Sequence, residues 1–459
     1  MTSGPVDLGP SRRIHLVGVG GAGMSGIARM LLQRGHDVSG TDLLESRTLH
    51  ALRLMGARIQ VGHDAAALGD AEIVVVSSAV PPGNPEVRAA DERGLTVLHR
   101  SEMLAALMDG QRAVLISGTH GKTTTTSMTV VALQAAGLDP SFSIGGALND
   151  AGSNAHAGTG DVFVAEADES DRSFLAYESD LAIVTNVELD HPDTFADLAA
   201  IEGSFRDFLA RRRAGGIALC CTDDAGAAAL AQAATPPVLT YGEDPAADVR
   251  LLVAADGTGR VRFADGGSVP LALRVPGRHN LLNAVAALAV CRWAGADLAA
   301  AADGLAAFTG AQRRFQRLGQ QAGVDVVDDY AHHPTELRAT LAAARSLGPR
   351  RILVVVQPHR YSRTAVLGAE LGRAAAGADL VFITDVYGAG EPAVPGVSGA
   401  LVADAARRAG ARVRYVEHLS DVVPAVVADA QPGDLVLVTG AGDVTQVGPA
   451  LLLALGDQP

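Results

Sequence analysis

Residues 116–126, ISGTHGKTTTT, end an apolar run in two glycines, a lysine and four consecutive threonines, and that order admits few folds. A buried strand that runs straight into a glycine turn and then a helix aims the helix's first N–H groups at one point. There, with the helix dipole, they favour an anion. Gly118, Thr119, His120, Gly121, Lys122, Thr123 and Thr124 are therefore candidates for binding nucleotide phosphates, with Lys122 on the terminal phosphates and the Thr123 hydroxyl on magnesium. The loop is two residues shorter than the familiar G-x-x-x-x-G-K-[ST], because Gly118 stands only three residues before Gly121. Of 37 Lys and Arg residues, Lys122 is the sole lysine, so the one compact ammonium falls on this loop while arginine serves everywhere else.

The same strand–loop–helix grammar opens the chain. In RRIHLVGVGGAGMSGIARMLLQRGHDVSGTD, residues 14–17 read as a buried strand, 22–33 as a helix and 37–40 as a second strand. Gly18, Gly20 and Gly23 form G-x-G-x-x-G, Asp42 lies beyond the second strand, and a further strand, EIVVVSSAV, carries Ser77 and Ser78. The region reads as half of a dinucleotide fold. Taken alone it suits an NAD-dependent oxidoreductase, a reading that leaves the second glycine loop unexplained.

From about Arg313 the pattern restarts: VDVVDD, RILVVV, LVFITD, RVRYV and DLVLVTG are five short apolar runs separated by helical stretches, as in a third βα sheet. At 459 residues, with roughly 150 residues per domain, about three α/β domains are expected. The expected boundaries are 1–109 (Rossmann-like), 110–312 (a P-loop-type ATPase) and 313–459 (again Rossmann-like).

A magnesium-dependent nucleotide site needs carboxylates, and VFVAEADESDRSF supplies Glu166, Asp168, Glu169 and Asp171 at a strand end, Glu166 being the preferred ligand. In TNVELDHPDTF a strand is expected to end at Asn186, followed by Glu188, Asp190 and His191; His191 suits either a metal or a structural hydrogen bond. Asn280 and Asn283 share a helix face, fit to meet a base edge or to cap the helix. Arg314, in QRRFQRL, could stabilise a transferring phosphoryl group or serve a salt bridge. The third region's strand ends are rich in polar groups, among them Tyr330 and His332 in DDYAHHPTE, and Arg360 and Arg363 in QPHRYSRT. Paired arginines suit bidentate capture of a carboxylate.

The net charge of −14 argues against a nucleic-acid partner. No stretch reads as a membrane span or a signal peptide. Three cysteines form neither a disulfide framework nor a metal set, which fits a reducing cytoplasm.

Together GVGGAGMSGIA, SGTHGKTTTT, EADESD, NVELDH, GRHN, RRF, DDYAHHPTE, QPHRYSRT and DVYGAGE resemble the Mur ligases, in order along nearly the whole chain. The pattern is most similar to the alanine-adding branch. The resemblance implies an ATP-dependent amide ligase that joins L-alanine to the lactyl carboxylate of UDP-N-acetylmuramate by way of an acyl phosphate, in cell-wall precursor synthesis. It implies that Gly18, Gly20, Gly21, Ala22, Gly23, Met24, Asp42, Ser77 and Ser78 serve the UDP-sugar. Lys122, His191 and Arg314 would be catalytic, and Thr123, Glu166 and His191 would hold magnesium, expected as two ions. Asn280, Asn283 and Arg314 would join the phosphate loop on ATP, and Tyr330, His332, Arg360 and Arg363 would surround the amino acid. Several family members bridge to the second metal through a carbamylated lysine; no lysine follows Lys122 here, so that device is excluded. Pro192 follows His191 where methionine is more usual. A recycling ligase that attaches a ready-made tripeptide to the same UDP-sugar shares the first two regions, and differs where this chain has DDYAHHPTE and QPHRYSRT.

Overall fold

The computed structural model describes residues 6–146, 153–254 and 258–456. The chain divides into two compact units. The first comprises Met1–Val187, Glu202–Ala272 and Ala284–Ala306; the second comprises Glu188–Ile201, Leu273–Asn283 and Ala307–Pro459.

Among the described residues, the first unit holds two sheets. One has five parallel strands in the order Arg58–Val61, Asp37–Asp42, Arg13–Val17, Ile73–Val76, Thr96–His99. The strand order reverses between Arg13–Val17 and Ile73–Val76, and ligands of such sheets lie beyond the carboxyl ends at that reversal. The glycine loop after Val17 and the serines after Val76 sit there. The predicted helix Ala22–Gln33 forms with its bounds unchanged.

The other sheet of this unit is centred on Arg112–Ser117, which pairs in parallel with Ser179–Val184 on one side and Val162–Glu166 on the other. It extends through Arg212–Cys221 and Val238–Gly242 to three strands, Val249–Val253, Gly259–Phe263 and Ser268–Leu271, whose mutual pairing is antiparallel. The strand expected to reach Asn186 stops at Val184, because the Thr185 and Asn186 side chains turn to hold the phosphate loop.

Among the described residues, the second unit has six strands in the order Gln316–Gln321, Val324–Asp329, Asp434–Thr439, Arg351–Val356, Leu380–Ile383, Val413–Tyr415. The five predicted apolar runs are the parallel strands; Gln316–Gln321 is an additional antiparallel edge. Ile352, Val354 and Val356 enter the core on one face, while Leu353 and Val355 enter it on the other. Burial on both faces is why these strands read as continuous apolar runs. Cutting Leu437 back to alanine in such a core costs about 2–5 kcal/mol. No described helix is long and apolar enough to cross a membrane.

Candidate active site

The phosphate loop is built from backbone that only glycine tolerates. Gly118 has φ +134°, and a Cβ there would lie 2.0 Å from Thr185 Oγ1. Gly121 starts the helix Lys122–Ala135 in the left-handed region at φ +83°. Asn186 clamps the loop between them: the His120 N–H donates to Asn186 Oδ1 at 2.8 Å, and Asn186 Nδ2 donates to the His120 carbonyl at 2.9 Å. Thr119 N–H donates to the Asn186 carbonyl at 3.1 Å. The helix N-terminus is thus held ready to meet an anion.

Lys122 curls over this loop. Its Nζ donates to the Gly118 carbonyl at 2.7 Å and lies 2.7 Å from Glu169 Oε2. Burial works against its charge, but Glu169, Asp168 and Glu166 prevail and push the ammonium up to about 12. It is therefore charged at any working pH. Thr123 Oγ1 donates to Glu166 Oε1 at 3.1 Å, and Glu166 Oε2 accepts from Gly145 N at 2.8 Å. Two of the three predicted metal ligands thus meet in one place, and a hydroxyl beside a carboxylate is the oxygen-donor chemistry that a hard divalent cation takes. Thr124 is buried in the same helix.

In the same unit, a cavity of about 930 Å³ opens over the first glycine loop. All nine residues predicted for the UDP-sugar line it: Gly18, Gly20, Gly21, Ala22, Gly23, Met24, Asp42, Ser77 and Ser78. Asp42 accepts from the Gly20 N–H at 2.8 Å, so it holds the loop itself. Sequence reasoning missed His63, Arg100 and, as a cavity residue, Asp171. His63 Nδ1 is fixed by the fully buried Glu86 at 2.8 Å. A second cavity of about 270 Å³ reaches from Gly23 and Arg100 to Glu166 and Asp168.

The second unit gathers a different set. The Arg363 guanidinium donates through Nε to Asp190 Oδ1 at 2.7 Å and through Nη1 to His359 Nδ1 at 3.2 Å. His191, at φ +53°, takes its N–H to Asp190 Oδ1 at 2.7 Å. His332 Nδ1 meets the Tyr330 carbonyl at 2.9 Å, which fixes the proton on Nδ1 and leaves Nε2 as an acceptor. Burial lowers His332 to about 4, and burial with the nearby His332 and Arg363 charges lowers His359 to about 3, so both rings are neutral. The Arg313 and Arg314 guanidinium carbons each lie 5.0 Å from the centre of the Tyr330 ring. Arg314 also lies 3.7 Å from Glu336. Arg360, at φ +67°, donates to Asp193 at 2.8 Å. Asn280 and Asn283 are buried in this unit, Asn280 donating to the Pro276 carbonyl at 2.7 Å, which ties down the turn before its helix.

Residues 13–112 match the Mur ligase family catalytic domain, 116–291 the Mur ligase middle domain, and 313–442 the Mur ligase glutamate ligase domain. The UDP-N-acetylmuramate–L-alanine ligase of Nocardia farcinica is 50% identical over 98% of this chain and 96% of its own length. The chain belongs to the Mur ligase family. Among solved structures, the UDP-N-acetylmuramate-alanine ligase of Thermotoga maritima matches with a TM-score of 0.79 at 28% identity, covering 96% of this chain and 99% of that one. A murein peptide ligase from Psychrobacter arcticus matches with a TM-score of 0.72 at 25% identity, over 98% of this chain and 99% of that one. Three Mur ligase domain matches in order along the chain agree with the three α/β regions read from the sequence.

Proposed function

We propose that this Mur ligase joins L-alanine to the lactyl carboxylate of UDP-N-acetylmuramate at the expense of ATP, through an acyl phosphate. The observation that carries the reading is the head of the helix Lys122–Ala135, where Thr123 and Glu166 meet 3.1 Å apart beside the Lys122 ammonium. The relative at 50% identity is named for this reaction, and among the solved structures the alanine ligase matches with a TM-score of 0.79 against 0.72 for the murein peptide ligase. Against a dinucleotide-dependent oxidoreductase stands the second glycine loop, with Lys122 and Glu169 at the head of its own helix, which that reading leaves without a role.

In this reading the domains are 1–109 for the UDP-sugar, 110–312 for ATP and 313–459 for the amino acid. A carboxylate is a poor acylating agent until its oxygen becomes a good leaving group, so the γ-phosphoryl of ATP passes to the sugar's carboxylate oxygen. Lys122 and the loop N–H groups hold the charge that spreads over the phosphoryl oxygens. Magnesium, when bound, neutralises phosphate charge, and Thr123 and Glu166 are the residues that fit it. His191 is assigned to a metal, and Asn280, Asn283 and Arg314 to ATP, by family resemblance. The amine of alanine then attacks the acyl carbon, the C–O bond to phosphate breaks, and the amine loses a proton. Neutral His332 offers Nε2 to orient the amine, and Arg363 with Arg360 and Tyr330 surrounds the amino acid. A cytoplasmic setting without a nucleic-acid partner belongs to the same reading. The test is phosphate release with ATP, magnesium and UDP-N-acetylmuramate across the amino acids. Alanine is expected to lead, and release with a tripeptide but not with alanine would favour the recycling ligase.

A further inference from the structure

Of the cavity over the first glycine loop and the smaller one that reaches Glu166, Arg100 lines both and is the only arginine or lysine among the described residues that line them. It stands where the strand Thr96–His99 gives way to the helix Arg100–Met108, at the carboxyl edge of the five-stranded sheet. On one side lies the glycine loop; a Cβ on Gly23 would be 3.6 Å from Arg100 Nη1. On the other, the smaller cavity leads to Glu166 and Asp168. The guanidinium spends only Nη2 on protein: it donates to Asp171 Oδ2 at 2.9 Å and lies 3.3 Å from Ser173 Oγ. Its Nε and Nη1 donate to no protein acceptor among the described residues. Asp171 also accepts from Ser78 at 3.3 Å, and it lines the larger cavity beside Arg100.

A sugar nucleotide whose diphosphate lies on the glycine loop must send its reacting carboxylate toward Glu166 and Lys122, and that path passes Arg100. A partly exposed arginine with free donors beside one protein carboxylate has the chemistry to take a second. We propose that Arg100 binds the lactyl carboxylate of the sugar nucleotide, and that Asp171 is the counter-ion it keeps until that carboxylate arrives. The inference rests on the UDP-N-acetylmuramate reading and adds a residue that orients the acceptor for phosphoryl transfer.

The experiment compares two ligands by calorimetry. UDP-N-acetylmuramate carries the carboxylate, and UDP-N-acetylglucosamine has the same diphosphate without it. In Arg100→Ala the Kd of the first should rise about 10-fold or more while that of the second stays within about twofold. A parallel rise in both would move Arg100 to the diphosphate and overturn the proposal, as would a preference between the two sugars equal to that of the native protein. Asp171→Asn keeps Arg100 and removes its competitor, so it should tighten UDP-N-acetylmuramate several-fold and leave the other sugar unchanged. Unchanged binding of both, or weaker binding of the muramate sugar, would overturn the counter-ion role. If the native protein binds neither sugar, the substrate reading has failed and the inference falls with it.

Discussion

Arg363 and Asp190 stand 173 residues apart in sequence, yet their side chains are buried together with Nε 2.7 Å from Oδ1. Burial pushes the Asp190 carboxyl up, but Arg363, His191 and His332 override it and hold the group far below the usual carboxylate range. The arginine expected to clamp an incoming carboxylate is thus already anchored through one edge, with its Nη atoms facing His359 and His191.

Removing that arginine should have two separable effects. Arg363→Ala is expected to raise the KM for alanine about 10-fold or more and leave the KM for ATP nearly unchanged, since the lost contact is to the amino acid's carboxylate. Stranding Asp190 should also lower unfolding stability by about 3–5 kcal/mol, read from urea titration. Loss of ATP affinity with an unchanged alanine KM would move Arg363 out of the amino-acid site.

Charge alone should not rescue Lys122. Its Nζ fits among the Gly118 and Thr119 carbonyls and Glu169, at 2.7, 3.3 and 2.9 Å, a pocket for a point donor. Lys122→Arg brings a planar fork into that space and should cut kcat by about 10²-fold or more. Turnover near that of the native protein would show the lone lysine to be incidental.

The second unit should be acid-labile. His332 and His359 have folded pKa values of about 4 and about 3, against an ordinary 6.5, because burial disfavours the charged ring. Each binds a proton more readily unfolded than folded, so its contribution is complete above about pH 6.5 and is lost as pH falls toward the folded values. Asp329 acts in the opposite sense: burial raises it to about 6, so its contribution fades as pH rises from 3.8 through 6. A single variant isolates the histidine part. The drop in urea midpoint between pH 7 and pH 5 should be smaller in His332→Gln than in the native protein, and an equal drop would mean that His332 does not titrate in this window.

Much of this was readable in the sequence, for local reasons. The phosphate loop, the G-x-G-x-x-G loop and the five parallel strands of the second unit are short segments whose residue pattern reads locally, although the pairing of Asp434–Thr439 between Val324–Asp329 and Arg351–Val356 does not. What escaped was non-local or weakly patterned. The edge strand Gln316–Gln321 is polar and half exposed; its signal was the turn at Ala322 and Gly323, both at positive φ, which joins it to Val324–Asp329. Arg100 gave no motif of its own, and its meaning depends on Asp171, 71 residues away. Asp42 read as the acidic residue of a dinucleotide-type fingerprint, but its 2.8 Å bond to the Gly20 N–H, 22 residues away, is legible only in the fold. Glu169 stood in the acidic cluster, but only the fold shows that it is the carboxylate on Lys122.

A carboxylate activated by phosphoryl transfer and then captured by alanine gives up one of its oxygens to phosphate. UDP-N-acetylmuramate labelled with oxygen-18 in its lactyl carboxylate, turned over with ATP, magnesium and alanine, tests it in one tube by mass spectrometry. Each released phosphate should carry one oxygen-18, and the alanyl product one fewer than the starting sugar. Unlabelled phosphate alongside formed product would contradict it.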